Sequence, residues 1–156
     1  MVRTLRRAGV EGTEGRRGTE GLLYRVVGAA LHVHSRLGPG LLESVYERCL
    51  AVELAAMGIR VNRQVAVPLT WREVKLAEAF RADLVVEDRL LLEIKAVEAI
   101  APIHKAQVLT YLRLSGLHRG LLLNFNVVHL RDGMARVTNF AALAHDARRA
   151  GEEDTE

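Results

Sequence analysis

Apolar residues along this chain recur at two different periods, and the switch between them marks out the secondary structure. From Glu20 to Leu37, the residues Leu23, Val26, Val27, Ala30, Leu31 and the run His34 to Leu37 return every three or four positions. That spacing predicts an amphipathic helix, stopped by Gly38-Pro39-Gly40. A second helix is predicted over Leu42 to Met57 from Leu42, Val45, Tyr46, Cys49, Leu50, Val52, Glu53 and Leu54, with Gly58 as its C-cap. The period then shortens to two. Ile59 to Trp71 alternates as a strand with one open face, and Pro68 places it at an edge or gives it a bulge. Arg72 to Lys75 reads as a polar turn, and Phe80 to Val97 as two strands about a polar Glu87-Asp88-Arg89 tip, a β-hairpin. Pro102 suits the first turn of a helix running to Ser115 and ended by Gly116. Buried strand Gly120 to Val128, short strand Met134 to Thr138 and a closing helix Phe140 to Arg149 complete the pattern.

Strands alternating with helices in this order predict a small α/β domain, with helices packed on a mixed central sheet. The chain has 156 residues, enough for one domain with a real core. Residues 1–19, rich in Gly and Arg, read as a flexible leader, 20–149 as the domain, and 150–156 as a disordered acidic tail. No apolar run is long enough to cross a bilayer and no secretory signal is evident, so a cytoplasmic location is expected. Cys49 is the sole cysteine. That excludes an internal disulfide and any four-cysteine zinc or iron–sulfur site within one chain. The net charge of +3 is unevenly spread, with arginines concentrated at the start and acids at the end. It is a weak pointer to a polyanionic partner.

Charged side chains inside the hairpin alter this picture. Glu93 and Lys95 are two apart, so on a strand they share a face opposite to Leu92 and Ile94. The plain reading is a surface ion pair. A three-residue loop at the tip, however, would pair Val86 with Leu90 and set Asp83 directly across from Glu93. Two carboxylates so placed repel one another, and a divalent cation with oxygen ligands would turn that repulsion into attraction. A two-residue loop would turn Asp83 to the wrong face. Elsewhere, His32 and His34 lie about 200° apart on a helix and cannot easily share an ion. Trp71 is expected to pack at a strand end.

Asp83 followed by Glu93-Ile94-Lys95 on the neighbouring strand resembles the core motif of the PD-(D/E)XK nucleases. Gln107-Val108-Leu109-Thr110-Tyr111 is similar to the QxxxY element of RecB-like members, its Gln and Tyr one helical turn apart. Gly40-Leu41-Leu42-Glu43-Ser44-Val45-Tyr46 matches the signature of the small GxxExxY family, and the phrases GPGLLESVYE, LEIKAVE, TYLRLSG and LLLNFN are similar to it too. The resemblance spans roughly residues 22–139.

It implies a restriction-endonuclease-like fold and Mg²⁺- or Mn²⁺-dependent hydrolysis of a DNA phosphodiester, with RNA as the other polynucleotide admitted. Asp83, Glu93 and the Ile94 carbonyl would hold the ion. Lys95 would neutralise charge on the phosphoryl oxygens, while Glu43, Gln107 and Tyr111 would complete the catalytic group. Tyr46, Arg63 and Lys105 are the candidate substrate contacts. No zinc finger or helix-turn-helix is evident and aromatics are few, so little sequence specificity is expected. A homodimer or partner protein is compatible with cutting two strands. A non-catalytic binding module on the same fold and a hydrolase of another phosphoester are the competing readings.

Overall fold

The computed structural model describes residues 13–153. Helix α1 (Thr13–Leu37) and helix α2 (Glu43–Ala56) are followed by strands β1 (Val61–Trp71), β2 (Val74–Val86) and β3 (Leu90–Lys95). Helix α3 (Pro102–Ser115), strand β4 (Arg119–Asn124), a 3₁₀ turn at Leu130–Gly133, strand β5 (Met134–Thr138) and helix α4 (Phe140–Glu153) complete the chain. The α1 helix therefore takes in residues 13–19, assigned above to the leader; residues 1–12 and 154–156 lie outside the described residues.

The five strands form one sheet in chain order, antiparallel except for the parallel β3/β4 pair. Parallel neighbours need a crossover, and α3 is that crossover. This is the expected mixed α/β architecture. Its helices close two separate cores. On one face Leu84, Val86, Leu90, Leu92, Ile94, Leu121 and Leu123 pack beneath the buried α1 stripe of Leu22, Leu23, Val26, Ala29, Ala30 and Val33, together with Leu50 and Leu54 of α2. On the other face Val85, Leu91 and Leu122 pack against Val108 and Leu112 of α3. Alternation along β3 thus sends Leu92 and Ile94 under α1 and α2, and Leu91, Glu93 and Lys95 toward α3.

Contact between α3 and β4 is close enough to need a glycine. A Cβ at Gly120 would stand 2.7 Å from Cγ1 of Val108, so the helix could not sit at its present height over any larger residue.

Pro68 is both at an edge and at an irregularity: β1 is the outer strand, and its register against β2 shifts between Val67 and Leu69. The turn beyond is shorter than the polarity of Arg72 to Lys75 indicated. Trp71 pairs directly with Val74, leaving only Arg72 and Glu73 to turn the chain. Trp71 itself departs from expectation. It is 66% exposed, because among the described residues no helix covers the hairpin past Pro68 and no core lies within reach of the indole.

Candidate active site

Everything at the site depends on the hairpin tip between β2 and β3. Glu87 and Asp88 have φ of 52° and 53°, the left-handed geometry of the tight turns that join twisted strands. The Arg89 N–H donates to the Val86 carbonyl at 3.0 Å, yet Val86 pairs with Leu90. Arg89 is therefore an extra, bulged residue and the loop holds three. Asp tolerates positive φ better than most residues, but Glu does not, and contacts from outside the turn help to hold it. The Arg60 amide donates to Glu87 Oε1 at 2.6 Å, its guanidinium lies 3.1 Å from Asp88 Oδ2, and the Glu87 N–H donates to the Arg60 carbonyl at 2.9 Å. Continued by one step, the register Leu84↔Leu92 brings Asp83 opposite Glu93.

Asp83 Oδ2 accepts the Ile94 N–H at 2.8 Å. On the far side of β3, the Lys95 carbonyl accepts the Phe125 N–H at 2.9 Å. Peptide groups alternate sides along a strand, so the Ile94 carbonyl points toward β2, the side on which Asp83 lies. Lys95 Nζ lies 3.3 Å from Glu93 Oε1. Glu93 Oε2 is buried without a hydrogen-bond partner among the described residues. Burial, with the Asp83 charge adding to it and Lys95 opposing it, pushes the Glu93 carboxyl up to about 7. Burial also raises Asp83; the Ile94 N–H and Lys95 work against that rise, and Glu47 and Glu43 add to it.

Two helices bring further groups to the pair. Glu43 opens α2, and its Oε1 accepts the Ala96 N–H at 3.2 Å just past the end of β3. Glu47, four residues on and so on the same helical face, is buried, accepts both its bonds from the Gln64 amide at 3.1 and 3.0 Å, and pairs with Arg63 at 3.3 Å. Gln64 reaches it from a backbone at φ 50°. The regular pairing of β1 with β2 is interrupted at this point, where Gln64 would oppose Asp83. Neither Glu47 nor Gln64 is among the candidates named from the sequence. The available signal was the Glu that follows Tyr46 in GPGLLESVYE, one turn beyond Glu43. On α3, Tyr111 stacks on Phe80 with ring centroids 3.8 Å apart. Burial raises its phenol, and the Glu93 charge adds to the rise; the ring packs against the core on the α3 side of the sheet, the side Glu93 faces. Asn124 clamps the chain leaving β3, donating to the Val97 carbonyl at 2.9 Å and accepting its N–H at 3.1 Å.

Other candidates lie elsewhere. Tyr46 is wholly buried, stacked on Phe125 at 4.5 Å, and its hydroxyl donates to the Gly38 carbonyl at 2.6 Å and accepts the Leu41 N–H at 3.1 Å. It cannot touch substrate; it shapes the loop that delivers Glu43, because its place in the pattern is a core position of α2. Gln107 and Lys105 are exposed on α3, outside the bonded cluster, Gln107 one turn before Tyr111. His34 is a packing histidine whose Nε2 lies 2.8 Å from the Val127 carbonyl, while His32 is exposed on another face of α1. His104 Nδ1 accepts the Ala101 N–H at 2.9 Å and so caps α3.

Among the described residues no three His, Cys, Asp or Glu side chains converge as a metal cage. The donor set is nevertheless suited to a hard cation: two facing carboxylates, one with an unpartnered buried oxygen, and a backbone carbonyl. Mg²⁺ is commonly held by one or two carboxylates and completes its shell with water and substrate phosphate.

A mixed sheet presenting facing acids and a lysine on adjacent central strands defines a restriction-endonuclease-like protein. The sequence profile of the PD-(D/E)XK nuclease superfamily matches residues 20–137, and the chain belongs to that superfamily. No curated protein and no solved structure shows a match.

Proposed function

We propose that this protein is a Mg²⁺- or Mn²⁺-dependent hydrolase of DNA phosphodiesters with little intrinsic sequence specificity, of the GxxExxY type. The observation that carries the reading is Glu93 Oε2, buried and unpartnered beside Asp83 in a superfamily whose chemistry uses divalent metals. An uncompensated buried carboxylate costs stability, and such a cost persists where the group serves a ligand. The subfamily assignment is supported by Glu43 and Tyr46, one at the site and one sealed behind it.

Asp83, Glu93 and the Ile94 carbonyl would hold the ion, which when bound polarises a phosphate and makes water a stronger nucleophile at neutral pH. The remaining steps belong to the chain's own groups. Lys95, steered by its 3.3 Å contact with Glu93, offsets the negative charge that grows on the phosphoryl oxygens. Glu43 fixes the backbone just after Lys95 through Ala96. Tyr111, backed by Phe80, walls the α3 side, and Gln107, Arg63 and Lys105 lie on surfaces open to the polynucleotide.

The test is cleavage of single- and double-stranded DNA in Mg²⁺ and Mn²⁺ by wild type, Glu93→Ala and Lys95→Ala. Loss of at least about 10²-fold in both variants, with DNA binding kept, supports the enzyme. Binding with no cleavage by wild type points to a non-catalytic module, and turnover of small phosphoesters alone to a different hydrolase.

A further inference from the structure

Beyond Pro68 the β1–β2 hairpin leaves the body of the protein. Residues 70–79 are all exposed, and their strands pair only with one another. An isolated two-stranded ribbon is marginally stable in water, so a ribbon of this length with bare apolar side chains calls for an occupant. Leu69 pairs with Leu76 and Trp71 with Val74, so these four share one face. Trp71, Val74 and Leu76 are 66%, 60% and 46% exposed. Across the register shift at Pro68, β1 advances two residues and β2 four, both even, so the parity of Val67 and Phe80 carries through to this face. Phe80 stacks on Tyr111 and both pack on the α3 side of the sheet, the side Glu93 faces. An apolar and aromatic track therefore runs from the α3 side of the sheet, the side Glu93 faces, out to the tip of the arm.

The tip also carries charge. Arg72 turns the chain at φ 54°, where glycine or asparagine is ordinarily used. Neither Arg72 nor Lys75 forms an ion pair or side-chain hydrogen bond among the described residues. The arm's acids are Glu73 at the turn and Glu78, which is already held by Arg81. A flat aromatic flanked by free cations, leading to a phosphodiester-cleaving centre, has the components used to bind unpaired nucleic acid: a π-face for a base and positive charge for its backbone.

We propose that the arm is a single-strand guide, with Trp71 stacking on an unpaired base while Arg72 and Lys75 hold the adjoining phosphates, so that the preferred substrate has a single-stranded segment leading into the site. This rests on the nuclease reading above and names its substrate class.

Trp71 is the only tryptophan, so intrinsic fluorescence reads the arm directly. Full-length protein in EDTA should show solvent-exposed emission that oligo-dT quenches saturably, with blunt duplex far less effective. Trp71→Ala should weaken oligo-dT binding, measured by anisotropy, about tenfold or more, and Lys75→Gln should lower the slope of log affinity against log salt by about one. In Mn²⁺, Trp71→Ala should raise KM on single strands with kcat little changed. The proposal is overturned if DNA binds without altering the emission and Trp71→Ala leaves affinity and KM intact. Should Lys95→Ala still abolish cleavage in that case, the nuclease reading stands alone; absence of both cleavage and polynucleotide binding would remove both. A concentration-dependent blue shift with a dimer in sedimentation, lost in Trp71→Ala and insensitive to DNA, would instead assign the arm to a second copy of the chain.

Discussion

Replacing Glu93 by Gln should make the metal-free protein more stable while removing its activity. The folded state holds the Glu93 carboxyl at about 7 against an ordinary 4.5, chiefly because its ionised form is buried. At 1.36 kcal/mol per pH unit, that difference disfavours the charged folded state by at most about 3–4 kcal/mol. Between pH 4.5 and 7 the folded protein binds more protons at this group than the unfolded chain does, so stability falls as pH rises through that window and levels off above it. Gln keeps an acceptor for Lys95 and never ionises. Allowing for hydration of the charged form, Glu93→Gln should exceed wild type by about 1–3 kcal/mol at pH 8 and by little at pH 4.5, where Asp83 affects both proteins alike. Urea unfolding in EDTA at several pH values measures the gap. Added Mn²⁺ should then stabilise wild type and not the variant. A gap that is absent or reversed at pH 8, or as large at pH 4.5, would refute the reasoning.

Because Glu93 must lose its proton to bind a cation, Mn²⁺ affinity should be about tenfold weaker at pH 6 than at pH 8 for a group titrating at about 7. Calorimetry in buffers of different ionisation enthalpy will show the released proton. Tyr46→Phe, which strips the Gly38 and Leu41 bonds from a buried hydroxyl, should cost about 1–3 kcal/mol in urea melts, and its activity loss should be small beside that of Lys95→Ala. Gly120→Ala should cost about 1–3 kcal/mol by driving Val108 and α3 off β4, visible as a lowered Tm. Glu47→Gln should let Asp83 ionise at lower pH, since the Glu47 charge helps hold it up; carboxyl NMR titration of the metal-free protein reads the change.

Much of the sheet and of the acid pair was legible because strand alternation is a local signal: Glu93 and Lys95 share a face from spacing alone. The position of Asp83 was legible only as a condition on loop length, which the turn at Glu87 and Asp88 meets through contacts with Arg60, a residue 27 positions away. Glu47 stayed hidden because its partners, Arg63 and Gln64, come from strand β1, and a buried acid on a helix looks in sequence like a solvated one. Tyr46 was misread for the opposite reason: a residue in a functional phrase can serve it from inside the core. Trp71 was misplaced because no local pattern says where a hairpin outruns the helices that cover it.

The bulged Arg89 has a consequence for how this protein can change over time. Losing one residue there would swing the aspartate to the back of the sheet, whereas trading whole pairs would leave it facing forward. A corner lengthened or shortened by an even number of residues would keep Asp83 facing Glu93, and one changed by an odd number would part them.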